Sequence, residues 1–137
     1  MTIHHSTSSF FVFSKDLNYG DSLFGGKLLA EIDCEAAKVA RSLIYDTGAD
    51  NAVTASFDRV DFKAPAKRGD LIELQADITE LGRTSIKIEV SVWVKRGSDK
   101  QNWTEICKAH ATFVALKDGK PYPHKKTMEQ ISINDTK

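Results

Sequence analysis

One long amphipathic segment constrains everything else in this chain. From residue 25 to about residue 46 the apolar residues recur at helical spacing, and the run closes on Asp46-Thr47-Gly48, where Gly48 can supply a C-terminal cap. A helix of about 20 residues is about 30 Å long. Its apolar stripe can be buried economically only by laying it across an antiparallel sheet of comparable span. The rest of the sequence supplies that sheet. Ahead of the helix, residues 8–14 hold the aromatic and β-branched run Phe10, Phe11, Val12 and Phe13, which reads as a strand. The turn-forming residues Asp16, Asn18, Gly20, Asp21 and Ser22 separate it from the helix. After the helix come strand-like segments at 52–63, 70–80, 84–95 and 104–116. Ile72, Leu74, Ala76 and Ile78 alternate with polar residues, and Ile86, Ile88, Val90, Val92 and Val94 keep strict period two. Cys107, Ala109, Ala111, Phe113 and Ala115 share one side of the last segment. The expected fold is α+β, a long helix wrapped by an antiparallel sheet of five to six strands.

The helix carries an anomaly. With Leu29 at zero and about 100° per residue, Ile32, Ala36, Ala37, Ala40, Leu43 and Ile44 fall within roughly 80° either side. Lys27, Glu31, Cys34, Glu35, Lys38, Arg41 and Ser42 gather opposite, as an amphipathic helix requires. Asp33 lands at about 40°, inside the apolar arc. Burying an unpaired carboxylate costs several kcal/mol. Two readings meet that cost: Asp33 accepts hydrogen bonds from buried partners, or it works as a general base or nucleophile in a partly dry pocket. Gly25-Gly26 at the helix start favours the second. Their N–H groups lack intrahelical partners, and the missing Cβ atoms let a carbonyl oxygen approach closely, so they could form an oxyanion hole. Asp33 lies two turns away on the same helix, so donors and carboxylate serve one site either across a dimer interface or through a bend of the helix start towards Asp33.

Composition narrows the function class. The 137 residues suit one domain, 1–137, with a core at 8–123 and flexible tails expected at 1–7 and 125–137. Lys plus Arg and Asp plus Glu are 19 each, so no global charge draws the chain to nucleic acid or to an anionic membrane. No apolar run approaches the ~20 residues of a membrane span, and the polar N-terminus lacks a signal-peptide core. A cytoplasmic setting is expected, in which the sequons at Asn102 and Asn134 carry no weight. Cys34 and Cys107 have neither disulfide-framework nor zinc spacing and read as buried free thiols.

Particular segments resemble one family. D-L-N-Y-G-D-S-L-F-G-G-K-L-L-A-E-I-D, residues 16–33, is similar to the helix-start motif of hotdog-fold acyl-CoA thioester hydrolases. The likeness is nearest to the bacterial short-chain group related to the brain-type cytosolic acyl-CoA hydrolases. F-D-R-V-D-F-K-A-P-A-K-R-G-D at 57–70, L-G-R-T-S-I-K-I-E-V-S-V-W-V-K at 81–95 and H-A-T-F-V-A-L at 110–116 resemble later strands in the correct order. The resemblance implies hydrolysis of acyl-CoA to a free acid and coenzyme A, with no metal and no cofactor. It implies that Asp33 is the catalytic carboxylate and that Gly26 N–H polarises the thioester carbonyl, with Ser22 as a further polar group. It also implies dimers, commonly built into tetramers or hexamers, with active sites between subunits. Asn18 and Gly25 are implied beside the substrate, and Phe24 either lines the acyl pocket or packs in the core. Arg83, Thr84 and Ser85 are implied near the nucleotide or pantetheine, with Arg59 as a further candidate that otherwise reads as a solvated turn residue. One departure stands out. Related sequences usually have Gly four residues before Gly-Gly, whereas this chain has Asp21 there and Gly20 one residue earlier, leaving Asp21 and Ser22 as alternatives for the second polar group.

Two rivals differ in class. A hotdog hydratase or dehydratase needs a His paired with an acid, and none of His4, His5, His110 and His124 lies beside the helix start in sequence. A non-catalytic acyl-CoA-binding protein does not explain a carboxylate on the apolar face, and a sensor of that kind is expected to carry a DNA-binding module as well.

Overall fold

The computed structural model describes residues 5–96 and 100–135. Helix α1 (Gly25–Ile44) lies against one antiparallel sheet. The strands are β1 (His5–Phe11), β2 (Asn51–Phe62), β3 (Leu71–Leu81), β4 (Ser85–Lys95), β5 (Thr104–Lys117) and the two-residue β6 (Lys120–Pro121). Their spatial order is β1-β3-β4-β5-β2, with β6 on β5, so the strand that follows the helix forms one edge of the sheet. This is the expected hotdog arrangement.

The period-two patterns account for the sheet. Ile72, Leu74 and Ala76 on β3 and Ile86, Val90, Val92 and Val94 on β4 are fully buried, while the alternate residues face out. β5 turns Ala109, Ala111 and Ala115 inward, and α1 presents Ala36 and Ala40. Small residues on both elements let helix and sheet approach closely, and Phe113, Ile32 and Leu43 fill the remaining volume. Each fully buried Leu, Ile or Val contributes about 1.5–3 kcal/mol. Cys107 is buried in this core, and burial pushes its thiol up to about 11. Cys34, expected to be buried, is exposed.

Both expected tails need correction. Strand β1 begins at His5 rather than at 8, with His5 opposite Asp77 and Phe11 opposite Leu71. Its inward side chains include Ser6 and Ser8, whose hydroxyls donate to Glu35 at 2.5 Å each. That polar inner face escapes a hydropathy reading. Glu35, assigned to the solvent face of the helix, is instead 1% exposed. Its third partner is Lys38 Nζ at 3.0 Å. The C-terminal segment is likewise ordered into helix α2 (Met128–Asp135), with Ile131 buried. Thr127 caps it: Gln130 N–H donates to Thr127 Oγ1 at 3.3 Å, and Thr127 N–H donates to Gln130 Oε1 at 3.0 Å. The expected turn at 97–99 and residues 1–4, 136 and 137 lie outside the described residues.

Candidate active site

The loop before α1 is braced by side chains that accept backbone donors. Asp16 is buried and takes Phe13 N–H at 2.9 Å, while its own carbonyl takes Phe24 N–H at 2.8 Å. Asn18 Oδ1 accepts Gly20 N–H at 2.8 Å and Ser22 N–H at 3.1 Å, closing the turn. Asp21 stands at φ 63, the left-handed region in which glycine is usual, and is exposed. It therefore replaces a glycine in conformation. Ser22 is half-buried and lines a cavity of about 500 Å³ with Asn18, Gly25, Phe62, Lys63 and Pro65.

At the helix start, Phe24 occupies the capping position and no side chain caps the first turn. The N–H groups of that turn have no intrahelical acceptors, and the helix dipole favours negative charge there. A Cβ on Gly26 would meet the Phe24 ring at 2.5 Å, so glycine is what allows the ring to lie over the helix start.

Asp33 lies two turns further along and is half-buried. Thr54 Oγ1 on β2 donates to Asp33 Oδ1 at 2.5 Å, which fixes the carboxylate against the edge strand. The buried arc of α1 runs through Leu28, Ile32, Glu35, Ala36, Val39 and Leu43, so Asp33 sits on its flank rather than within it. Thr54 follows Ala52 at strand spacing, and Ala52 is buried. A polar side chain on an inward-facing position of β2 is the signal that would have marked Thr54 from sequence.

The turn at 82–85 is tight. Gly82 N–H donates to the Ser85 carbonyl at 3.0 Å, and the Thr84 carbonyl accepts Ala115 N–H at 2.8 Å. A Cβ on Gly82 would collide with Ser85 Oγ, and Arg83 is exposed at the tip. The chain after β6 packs behind this turn, with His124 buried against it. Lys126 Nζ lies 2.7 Å from Asp46 Oδ1, and that hydrogen bond holds the Asp46 carboxyl below the usual carboxylate range.

A single chain strings these groups out. Asn18, Ser22, Phe24, Gly25 and Gly26 cluster at the start of α1, and Asp33 is about 10 Å further along the axis. The turn at 82–85 packs by way of His124 against the segment that touches Asp46, beyond the far end of α1. Arg59 joins neither group: it is exposed on β2 and paired with Asp61 at 2.8 Å. Among the described residues no histidine serves Asp33 either. His5 pairs with Asp77 at 2.7 Å, and His124 bonds Ser85. His110 alternates on β5 with the buried Ala109 and Ala111 and so points away from the helix.

The sequence pattern of the thioesterase superfamily matches residues 20–100. The uncharacterised acyl-CoA thioester hydrolase YkhA of Bacillus subtilis is 35% identical over 131 residues, covering 91% of this chain and 73% of its own length. Among solved structures, an acyl-CoA hydrolase of Staphylococcus aureus bound to butyryl coenzyme A, coenzyme A and coenzyme A disulfide superposes with a TM-score of 0.78. It is 34% identical, covering 88% of this chain and 71% of that one. The same enzyme has been solved with an aspartate, an asparagine or a threonine replaced by alanine. A hexameric hotdog-fold thioesterase of Campylobacter jejuni superposes at 0.75 with 30% identity over 95% of both chains. Sheet order, central helix and matched sequence agree, and the chain belongs to the thioesterase superfamily.

Proposed function

We propose that this protein hydrolyses acyl-CoA thioesters to a free acid and coenzyme A, with Asp33 as its general base. The observation that carries the reading is the half-buried Asp33 carboxylate held by Thr54 on the same helix as an uncapped double-glycine start. Thr54 occupies Oδ1, leaving Oδ2 to take a proton from water. The hydroxide so formed attacks the thioester carbonyl, and the oxyanion is met by Gly26 N–H and its neighbours. The C–S bond then breaks, and the coenzyme A thiolate leaves and regains a proton. Ser22, Asn18, Gly25 and Phe24 surround the acyl end; Arg83, Thr84 and Ser85 hold the coenzyme end. No metal or cofactor enters this scheme, and the partners are acyl-CoA and further copies of the chain in a cytoplasmic setting.

The relatives support the assignment by residue type. In the Staphylococcus aureus enzyme the substituted asparagine and aspartate are separated by the interval that separates Asn18 from Asp33 here. The spacing of donors and carboxylate along α1 supports a site completed by a second copy. Release of free thiol from acyl-CoA substrates of graded chain length tests the reaction. Asp33→Ala and Asp33→Asn are expected to lower kcat by at least about 100-fold, the usual scale of general-base catalysis, with fold and assembly intact. Turnover by Asp33→Ala at the wild-type rate removes Asp33 from the mechanism.

A further inference from the structure

His124 is 2% exposed and uses both ring nitrogens. Its Nδ1 accepts Lys126 N–H at 3.0 Å, so the proton resides on Nε2, which donates to the Ser85 carbonyl at 3.1 Å. Its backbone N–H donates to the Arg83 carbonyl at 3.3 Å. Just upstream, Tyr122 N–H donates to the Ala115 carbonyl at 2.8 Å. The chain after β6 is thereby laced to both ends of the turn at 83–85. Between the tethered His124 and Lys126, Lys125 is held at φ 61. A non-glycine residue there costs about 1 kcal/mol or more and persists only where its surroundings over-determine it.

The three cations nearby are not equivalent. Lys126 is committed to Asp46 at 2.7 Å. Arg83 and Lys125 are exposed and make no ion pair among the described residues. Both line one cavity of about 360 Å³, with Gly82, Pro123, His124, Thr127 and the Asp46-bound Lys126, and no carboxylate lines it. Two cations from separate segments of the chain, unpaired among the described residues and lining one concave site whose lining holds no carboxylate, suit a phosphorylated ligand.

We propose that the segment after β6 forms the second wall of the coenzyme A phosphate site, with Lys125 beside Arg83 as its second cation and His124 as the positioning residue that ties this wall to the turn. The inference rests on the acyl-CoA reading above. His124 touches no reacting atom, because both nitrogens are consumed in the fold; it acts through the geometry of the Arg83 turn and of Lys125.

Two thioesters of the same acyl group separate binding from chemistry: the acyl-CoA, and the acyl-N-acetylcysteamine, which lacks nucleotide and phosphates. Lys125→Ala is expected to raise KM for acyl-CoA about tenfold with kcat within about twofold, and to move KM for the short thioester less than about twofold. Lys125→Arg keeps the charge and keeps KM near wild type. His124→Ala is expected to show the same selective rise. His124→Gln restores it, because its amide can donate to Ser85 and accept from Lys126. Equal losses on both thioesters, or an unchanged KM for acyl-CoA in Lys125→Ala, overturn the proposal. Calorimetric binding of adenosine 3′,5′-bisphosphate to the full chain reads the wall without turnover. If the wild-type chain cleaves neither thioester, the hydrolase reading falls. The nucleotide affinity then decides alone: about tenfold weaker in Lys125→Ala supports the second wall, and unchanged affinity overturns it.

Discussion

A carboxylate that is to take a proton from water must be held in one orientation while keeping one oxygen free. Asp33 meets that condition through a single short bond from Thr54 Oγ1. Thr54→Val keeps the β-branched shape and removes the donor. A hydrogen bond to a charged group is worth about 1.5–3 kcal/mol. Thr54→Val is therefore expected to lower kcat by about 10- to 100-fold with KM little changed, read by steady-state thiol release. An unchanged kcat would make the bond incidental. Asp33 itself was legible in the sequence because helical periodicity exposes a charge that departs from the polar face. Thr54 was not, because its partner lies 21 residues away and only the packing of β2 against α1 joins them. Glu35 was misplaced for a related reason. The helical angle of Glu35 points it away from the apolar stripe, yet two inward serines on β1 make a polar niche there that no hydropathy pattern announces.

That niche governs an element. Strand β1 is an edge strand, paired among the described residues with β3 alone, and its inner face is anchored to α1 through Ser6, Ser8 and Glu35. Burial alone would raise the Glu35 pKa, but hydrogen bonds from Ser6, Ser8 and Lys38, with the Lys38 charge, outweigh it and hold the carboxyl below its ordinary value of 4.5. A group with a lowered folded pKa stabilises the fold above its unfolded value and loses that contribution as pH falls through the folded one. The anchoring of β1 is thus expected to be complete at neutral pH, to weaken as pH drops below about 4.5, and to vanish below the lowered folded value. Hydrogen exchange of the β1 amides checks it: protection should fall with acid before that of β4. Glu35→Gln should lower global stability by about 1–3 kcal/mol and flatten this acid dependence. Equal acid sensitivity in Glu35→Gln would assign the effect to other carboxylates. At this scale the sequence was most informative where one face is apolar. The bounds of β3, β4 and β5 fall within a residue of the periodic pattern, while the start of β1 and the whole of α2 rest on polar contacts and caps and lie in the segments expected as tails.

The whole molecule ends on β2. This 12-residue strand forms one edge of the sheet, and an open edge of that length is a template for a second chain. Val53, Phe57 and Phe62 are exposed along it, and the exposed Phe24 lies at the helix start nearby. Within one chain the N–H groups of Gly25 and Gly26 and the Asp33 carboxylate stand about 10 Å apart along α1, too far to meet one carbonyl. Pairing through β2 would bring the Asp33–Thr54 pair of one copy toward the helix start of another, so assembly and catalysis should fail together. Phe57→Asp puts a charge on the exposed edge and is expected to raise the dimer dissociation constant at least about tenfold, a cost of about 1.4 kcal/mol. Sedimentation velocity across a concentration series reads the assembly, and thiol release on the same samples reads turnover. The rate per chain should track the associated fraction, recovering as Phe57→Asp is concentrated. A dissociated chain that hydrolyses acyl-CoA at the full wild-type rate would place the whole site within one subunit. The distance along α1 would then have to be closed by movement of the helix start, and the altered stretch Gly20-Asp21-Ser22 would be where that movement is hinged.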